Sequence, residues 1–520
     1  MKKYSGGIGL QEFFDQISEI NGVINDFVWV KIGLVLLIGA GIIMTCCTKF
    51  FQITHIGHWM KETVGSLFRR DGSSRKKTDK NSISQFQALC TALAATIGTG
   101  NIAGVSAAIV IGGPGAVFWM WVAAFFGMMT NYSENVLGIF YRRRNRDGEW
   151  SGGAMYYLKD GLGSKKHCRG LGSVLAVIFC IVAILASFGI GNMGQVNKIT
   201  INISSAFFSG IDLGTVGGIP VLSLIIGGVL MILAGLIIIG GLQRIAAFAE
   251  KVVPFMAIAY VIGALAIFFV NLDKVGEMFV SIFRFAFGAK AALGGAAGIA
   301  LREVITQGCK RGVFSNEAGL GSSVMVHSSS NVREPVRQGM WGIFEVFFDT
   351  VIVCTMTAVV VLSSGQIDLE TGLAVEGVND ATLVAQAFGN VFGKPGEWFV
   401  ALAILLFAFT TVLGWSQYGT KSVEYLCGTT GAKIYRIIFV LMIMSGAVMT
   451  SSLAWDISDT FNGFMMIPNL IGVLALCPTV ARITKNYVDR RIKKKDIKPM
   501  LSFDPATQAE AEEAVLGGAE

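Results

Sequence analysis

Between Lys80 and Glu134 the chain runs for 53 residues without one charged side chain. About 20 apolar residues are enough to cross a bilayer as a helix, so this stretch alone has length for two crossings. Further uncharged runs cover 170–197, 213–243, 252–272, 398–420, 437–455 and 460–481. Over the 520 residues only 15% are charged, against about 25% in ordinary soluble chains. That pattern excludes a soluble enzyme, a nucleic-acid-binding domain and a disordered chain. It also excludes a β-barrel, whose strands alternate apolar and polar residues. The fold class is all-α and membrane-spanning.

Splitting the longest run at Gly112-Gly113-Pro114-Gly115, where Pro and clustered Gly break a helix, gives eleven expected spans. They lie near 28–48, 84–110, 116–140, 171–196, 218–240, 247–270, 285–309, 339–363, 397–418, 434–453 and 460–481. Arg302 and Glu303 interrupt the seventh, and Glu345 and Asp349 fall in the eighth. Basic residues mark cytoplasmic loops. Three segments hold 24 of the 42 basic residues: Lys49 to Lys80, Arg142 to Arg169, and Arg482 to Lys498. The loop 364–396 instead carries Asp368, Glu370, Glu376 and Asp380 with a single lysine. This alternation predicts a cell-membrane protein with its N-terminus outside and its C-terminus in the cytoplasm. Residues Met1 to Asp26 lack the apolar core of a cleavable signal peptide, so the first span is expected to target the chain.

The minor components say less. Phe50 to Phe68 mixes Phe, Trp and Ile with His and Lys, and suits an amphipathic helix on the inner surface. His55 and His58 are spaced to share a helical face, but no third metal ligand stands nearby. The nine cysteines form no C-x-x-C pair, and Cys180, Cys354 and Cys477 read as small buried apolar residues. The net charge of +7 reflects cytoplasmic loops and implies no nucleic-acid partner.

The second span contains Gly98-Thr99-Gly100-Asn101, which weakens a helix at bilayer depth. Backbone groups freed there cannot face lipid and must line a protein cavity. Freed carbonyls can hold a cation, and the N–H groups opening the outer half-helix can hold a carboxylate. A similar weak point, Gly294-Gly295-Ala296-Ala297-Gly298, lies about 200 residues later. Paired interruptions of this kind point to a secondary transporter's binding site. Close helix packing through small residues explains them as well, and on the glycines alone both readings stand.

The stretch from Gly112 to Gly127 (Gly112-Gly113-Pro114-Gly115-Ala116-Val117-Phe118-Trp119-Met120-Trp121 and onward) resembles the signature of the alanine/glycine:cation symporter family, the sodium:alanine symporters. Arg311-Gly312-Val313-Phe314-Ser315-Asn316-Glu317-Ala318-Gly319 resembles that family's loop after the seventh span. The resemblance covers about residues 28 to 482. It implies a LeuT-type architecture of two inverted five-helix repeats, 84–270 and 271–482. An extra helix and inner-surface segment (28–83) would precede them, with an extracellular N-terminus (1–27) and a cytoplasmic tail (483–520) at the ends. It further implies sodium bound by the carbonyls of Ala94 and Ile97 and the hydroxyls of Thr410 and Thr411, and a substrate carboxylate on the N–H groups of Thr99 and Gly100. Carbonyls around Gly294, Gly295 and Gly298 are then first candidates for the substrate amine. Asn192 and Gln195 come next; three apart, they are expected on one face, and they serve equally as glue between helices. Asn101 could bind substrate, bind a second sodium, or cap the outer half-helix.

Phe188 and Trp415 sit at depths suited to pocket walls, or to ordinary packing. Asp349 is an intramembrane carboxylate and hence a functional candidate. It could bind sodium, relay a proton, pair with Arg302 or serve as a solvated gate, and the gate or ion-pair role is favoured. Arg311 and Glu317 suit a gate latch or a structured loop. The expectation is a symporter importing alanine or glycine with sodium as the coupling ion; another small neutral amino acid, or proton coupling, is the alternative. A channel, a membrane enzyme and a non-transporting sensor fit less well: no repeated filter sequence, no H-E-x-x-H or G-x-S-x-G motif and no output domain is present.

Overall fold

The computed structural model describes residues 10–69, 74–76, 81–287, 301–375, 377, 382–449 and 453–516. The helices that build their bundle are α1 (Gln16–Cys47), α2 (Gln85–Thr96), α3 (Gly100–Gly112), α4 (Gly115–Tyr141), α5 (Arg169–Phe207), α6 (Val221–Ile238) and α7 (Gly241–Val270). After them come α8 (Val275–Ala286), α9 (Leu301–Asn316), α10 (Pro335–Ser363), α11 (Leu383–Phe392), α12 (Lys394–Val448), α13 (Leu453–Ala475) and α14 (Cys477–Ile492). Six are long and apolar enough to cross a membrane, or eight spans if the bent pairs α2–α3 and α13–α14 each count as one. The protein is therefore a multi-pass helical membrane protein.

Local sequence explains where helices start and bend. Ser84 accepts from the Gln87 N–H and Gln87 bonds back to Ser84, a capping box that opens α2. Gly113 takes a φ of 71° and Pro114 caps α4, which separates α3 from α4. Gly115 is needed for packing, because a Cβ there would lie 2.4 Å from the Phe285 backbone of α8. α12 is two helices joined at Gly428, whose φ of 75° and ψ of −175° interrupt the helix.

The α4 helix runs through the middle of the bundle and packs against α1, α8, α9 and α10. Its second half, Thr130-Asn131-Tyr132-Ser133-Glu134-Asn135, is polar and wholly buried. Outer helices reverse this pattern: α6 exposes Ile225, Val229, Ile232 and Leu236, and α7 exposes Phe255, Ile258 and Ile262. Apolar outside and polar inside is the arrangement lipid requires.

Several expectations change. Residues assigned to an extracellular N-terminus are helical from Leu10 onward and continuous with the first span; apolar residues recurring at helical spacing outweigh the interspersed charges. The segment Phe50 to Phe68, expected as one amphipathic helix, is three short helices, Phe51–Thr54, Ile56–Glu62 and Val64–Leu67, with turns at His55 and Thr63. Its Phe51 and Trp59 are buried, whereas Ile53, Ile56 and Phe68 are exposed. His55 stacks on Phe51 and His58 bonds the Tyr487 hydroxyl at 3.1 Å, so the two rings turn to different neighbours. Gly294, Gly295 and Gly298 lie outside the described residues, as do Lys77, Lys80, Glu376 and Asp380.

Candidate functional site

The second span breaks where its glycines predicted. α2 ends at Thr96, Ile97 is extended with a ψ of 90°, and α3 starts at Gly100 after a bend of 54°. The hydrogen bonds show which groups the break frees. In a continuous helix the N–H of Gly98 would serve the Ala94 carbonyl, and that of Asn101 the Ile97 carbonyl. Instead Gly98 donates to Asn101 Oδ1 at 2.9 Å, and the Asn101 N–H goes to the Gly98 carbonyl at 3.3 Å. The Ala94 and Ile97 carbonyls thus lose their helical donors. The break leaves them as acceptors at depth.

Three other helices close around this point. From α12, the Thr411 hydroxyl lies 3.5 Å from the Ile97 carbonyl while bonding its own Phe407 carbonyl at 3.0 Å. A Cβ on Gly98 would fall 2.5 Å from Thr411 Oγ1, so only glycine permits this approach. Thr410 turns away: its hydroxyl bonds the Leu406 and Phe407 carbonyls and faces the Met256 sulfur of α7. From α5, Gln195 Oε1 accepts the Thr99 hydroxyl at 3.0 Å and the Thr99 N–H at 3.4 Å. Gln195 holds that pose by donating to the Ile190 carbonyl five residues back. From α9, Phe314 lies against Gly100, 3.2 Å from where a Cβ would be.

Asn192 and Gln195 do not share a face. Asn192 donates to the Phe439 carbonyl at 2.7 Å, and Phe188 one turn earlier stacks near Tyr435 and Phe439. The cause is the π-helical turn Gly189–Met193, which turns successive residues through a smaller angle than the α-helix does. Gly191 and Gln195 therefore look toward α2 and the first half of α12, where Trp415 packs on Gly191. Trp415 of α12 thus packs against α5 one turn before Gln195.

Asp349 is the second focus. It is fully buried, and its Oδ1 accepts from Asn101 Nδ2 at 2.7 Å. Its Oδ2 accepts from Ser315 Oγ and Thr350 Oγ1, both at 2.8 Å. Arg302 is exposed at the far end of α9, so the expected pairing with Asp349 does not form, nor is Asp349 a solvated gate. Helix periodicity could not foresee this, because α10 is buried on nearly every side. Arg311 and Glu317 also part company. Arg311 lies over Phe314 in a polar recess shared with Asp456 and Asp459, whereas Glu317 follows the end of α9 with a φ of 55° and accepts from Ser322 at 2.5 Å. Phe314, Ser315 and Thr350 escaped attention as single residues, although the first two belong to the stretch that carried the resemblance.

The arrangement suits a small zwitterion and a hard cation. Freed carbonyls and a hydroxyl form an oxygen-only donor set, the kind hard cations prefer. The N-terminus of α3 offers N–H groups to a carboxylate. Every residue at the break is buried, so ligands placed there would be enclosed by protein.

Comparison with known proteins bears on what such a site does. The profile of the sodium:alanine symporter family matches residues 14–501. The sodium/alanine symporter AgcS of Methanococcus maripaludis is 42% identical over 484 residues, covering 93% of this chain and 99% of AgcS. The probable sodium/glutamine symporter GlnT of Bacillus subtilis is 35% identical over 482 residues, covering 92% of each. Among solved structures, MhsT in complex with L-phenylalanine aligns with a TM-score of 0.52 at 13% identity, covering 78% of this chain and 99% of MhsT. At that identity the likeness shows a shared fold.

Proposed function

We propose, from the premise that this chain belongs to the sodium:alanine symporter family, that it imports alanine and glycine with sodium by alternating access. It is an amino-acid symporter and not an enzyme. The observation that carries the finer reading is the juxtaposition of the freed Ala94 and Ile97 carbonyls with the Thr411 hydroxyl, one turn from the N–H groups of Thr99 and Gly100. Sodium would sit on the former set and the substrate carboxylate on the latter. Thr410 would join the sodium ligands by turning its hydroxyl off the Phe407 carbonyl. Gln195 Oε1 would move from Thr99 to the substrate ammonium. Phe314 and Trp415 would wall the side-chain end. Size exclusion must be steric, since one methylene in an apolar pocket is worth only about 1–3 kcal/mol.

Sodium bridging α2 to α12 would fix the half-helix that holds the substrate, which is how one ligand favours the other. The three basic segments support a cytoplasmic C-terminus and an external N-terminus. Each sodium moving inward down the membrane potential would add about 2.3 kcal/mol per 100 mV. Labelled-alanine uptake into proteoliposomes under an inward sodium gradient tests this reading. Uptake should stop when potassium replaces sodium, and unlabelled glycine should compete better than glutamine. Equal uptake in potassium would refute the coupling.

The Thr411→Ala variant separates the two threonines. The sodium concentration for half-maximal uptake should rise about tenfold, the equivalent of about 1.4 kcal/mol. Thr410→Ala, whose hydroxyl faces its own helix and Met256, should shift it by less than about threefold. Equal shifts in both variants would show that Thr410 turns fully into the site.

A further inference from the structure

The C-terminal end of α1 meets α14 at a recess that plays no part in the site above. α1 stops at Cys47, and Lys49 and Phe50 follow with φ of 58° and 57°. The Phe50 N–H closes this sharp turn on the Thr45 carbonyl at 2.8 Å. On the other side the chain bends by 59° between α13 and α14. The Cys47 thiol reaches Cys477 at the start of α14, and His58 bonds Tyr487 further along it. Beside these contacts lies a recess of about 360 Å³, walled by the end of α1, the helix Phe51–Thr54 and α14.

Four cations line the recess: Lys49, Arg482, Lys485 and Lys493. Asp489 is the one carboxylate among its described lining residues, and Lys493 at 3.0 Å and Lys495 at 3.4 Å already hold it. Among the described residues no carboxylate pairs with Lys49, Arg482 or Lys485. The hydroxyls of the lining are occupied as well. Thr48 donates to the Met44 carbonyl at 2.6 Å, and Thr484 bonds the Tyr132 hydroxyl at 2.9 Å. Burial and the nearby Lys493 both lower the basicity of His55, so its ring adds no charge. Positive charges gathered in one recess repel one another, and an anion among them relieves that cost.

The surrounding surface says which anion. Ile43 stands one turn before Cys47 on the same face of α1, and both Ile42 and Ile43 are exposed. Past the turn, Phe50, Ile53 and Ile56 continue the exposed apolar surface. A phosphate in water would use the cations and leave this band bare. A phospholipid would use both, with its phosphate in the recess and its acyl chains along the band. The acidic residues of the tail are engaged elsewhere: Glu512 pairs with Lys498 at 3.2 Å, and Glu510 lies in electrostatic reach of Arg142. Basic pockets beside membrane helices on the cytoplasmic side attract anionic headgroups.

We propose that this recess binds the headgroup phosphate of an anionic phospholipid of the cytoplasmic leaflet, with Lys49, Arg482 and Lys485 around the phosphate and the acyl chains along Ile42 and Ile43. The leaflet follows from the orientation proposed above. One lipid held in this way ties α1 to α14.

Native mass spectrometry of the full chain reads lipid binding without reference to uptake. The protein is incubated in detergent with dioleoyl phosphatidylglycerol or with dioleoyl phosphatidylcholine. The wild-type protein should retain phosphatidylglycerol in clear preference to phosphatidylcholine. R482Q/K485Q removes two cations at exposed positions and should weaken that retention about tenfold or more. K166Q/R169Q removes the same charge from exposed residues of another basic segment and should bind as the wild type does. Equal loss in both double variants would overturn the proposal, since it would show only a diffuse attraction to basic surface. Equal retention of the two lipids by the wild type would overturn it too. Displacement of the lipid by an equal concentration of glycerol phosphate would mark a site for soluble anions and overturn the lipid assignment. Should R482Q/K485Q not be monodisperse, K49Q takes its place; a loss of retention supports the proposal and unchanged retention overturns it. Sodium-driven uptake by the same wild-type sample reports on the transport reading, which none of these outcomes touches.

Discussion

Gly98→Ala should reduce alanine uptake to below about 1% of the wild-type rate while leaving the protein folded and membrane-inserted. The added Cβ would fall 2.5 Å from Thr411 Oγ1, inside any contact distance, and 3.5 Å from Gln195 Oε1. Overpacking in a close-packed interior costs roughly 1–3 kcal/mol, too little to unfold a large bundle. The same displacement separates the Thr411 hydroxyl from the Ile97 carbonyl, whereas the contact with Gln195 is of ordinary length and leaves its bond to Thr99 in place. Displacements of about 1 Å at a positioned site cost on the order of a hundredfold in rate. Gly104→Ala is the control, because a Cβ there meets nothing within 4 Å. It should transport normally. Uptake by Gly98→Ala within threefold of wild type would show that the approach of Thr411 to the break is incidental.

The weak point at Gly98 could be read from sequence because three local signals coincide there: an uncharged run, two glycines and a polar residue next to them. The partners of the break could not. Asn101 and Asp349 stand 248 positions apart, and nothing in either neighbourhood announces the pair. Rotation is the underlying difficulty. Apolar periodicity orients a helix that has one dry and one wet face, but α4 and α10 are buried nearly all round, so their polar residues have no reference direction. On α5 the problem is compounded by the π-turn, which separated Asn192 and Phe188 from Gln195 despite favourable spacing. The buried carboxylates of α4 and α10 were hidden in the same way. Glu134 looked like the end of an uncharged run and Glu345 like an interruption in a span; the first meets Asn469 of α13 and the second meets His327 of the short helix Val324–His327.

Asp349 decides whether the break is held from outside or stands by itself. Asn101 caps Gly98 with one end of its amide and donates to Asp349 with the other, so Asp349 holds the residue that holds the break. Asp349→Ala removes the acceptor for Asn101, Ser315 and Thr350 together and leaves buried donors unpaired, each costing about 1–3 kcal/mol. Alanine uptake should fall at least about a hundredfold, in line with roughly 2.7 kcal/mol lost from the transport-competent geometry. Asp349→Asn tests what the carboxylate contributes beyond its shape. Its amide oxygen can still accept from Asn101, and its NH2 can donate to the Ser315 and Thr350 hydroxyls, which accept as readily as they donate. Thr350 already takes one bond from Asn316 at 3.0 Å and keeps a lone pair for the second. Asp349→Asn should therefore transport at least tenfold better than Asp349→Ala at saturating sodium. If both variants are equally inactive while both remain monodisperse, the negative charge itself is required, and a cation must share the space between Asp349 and the broken helix.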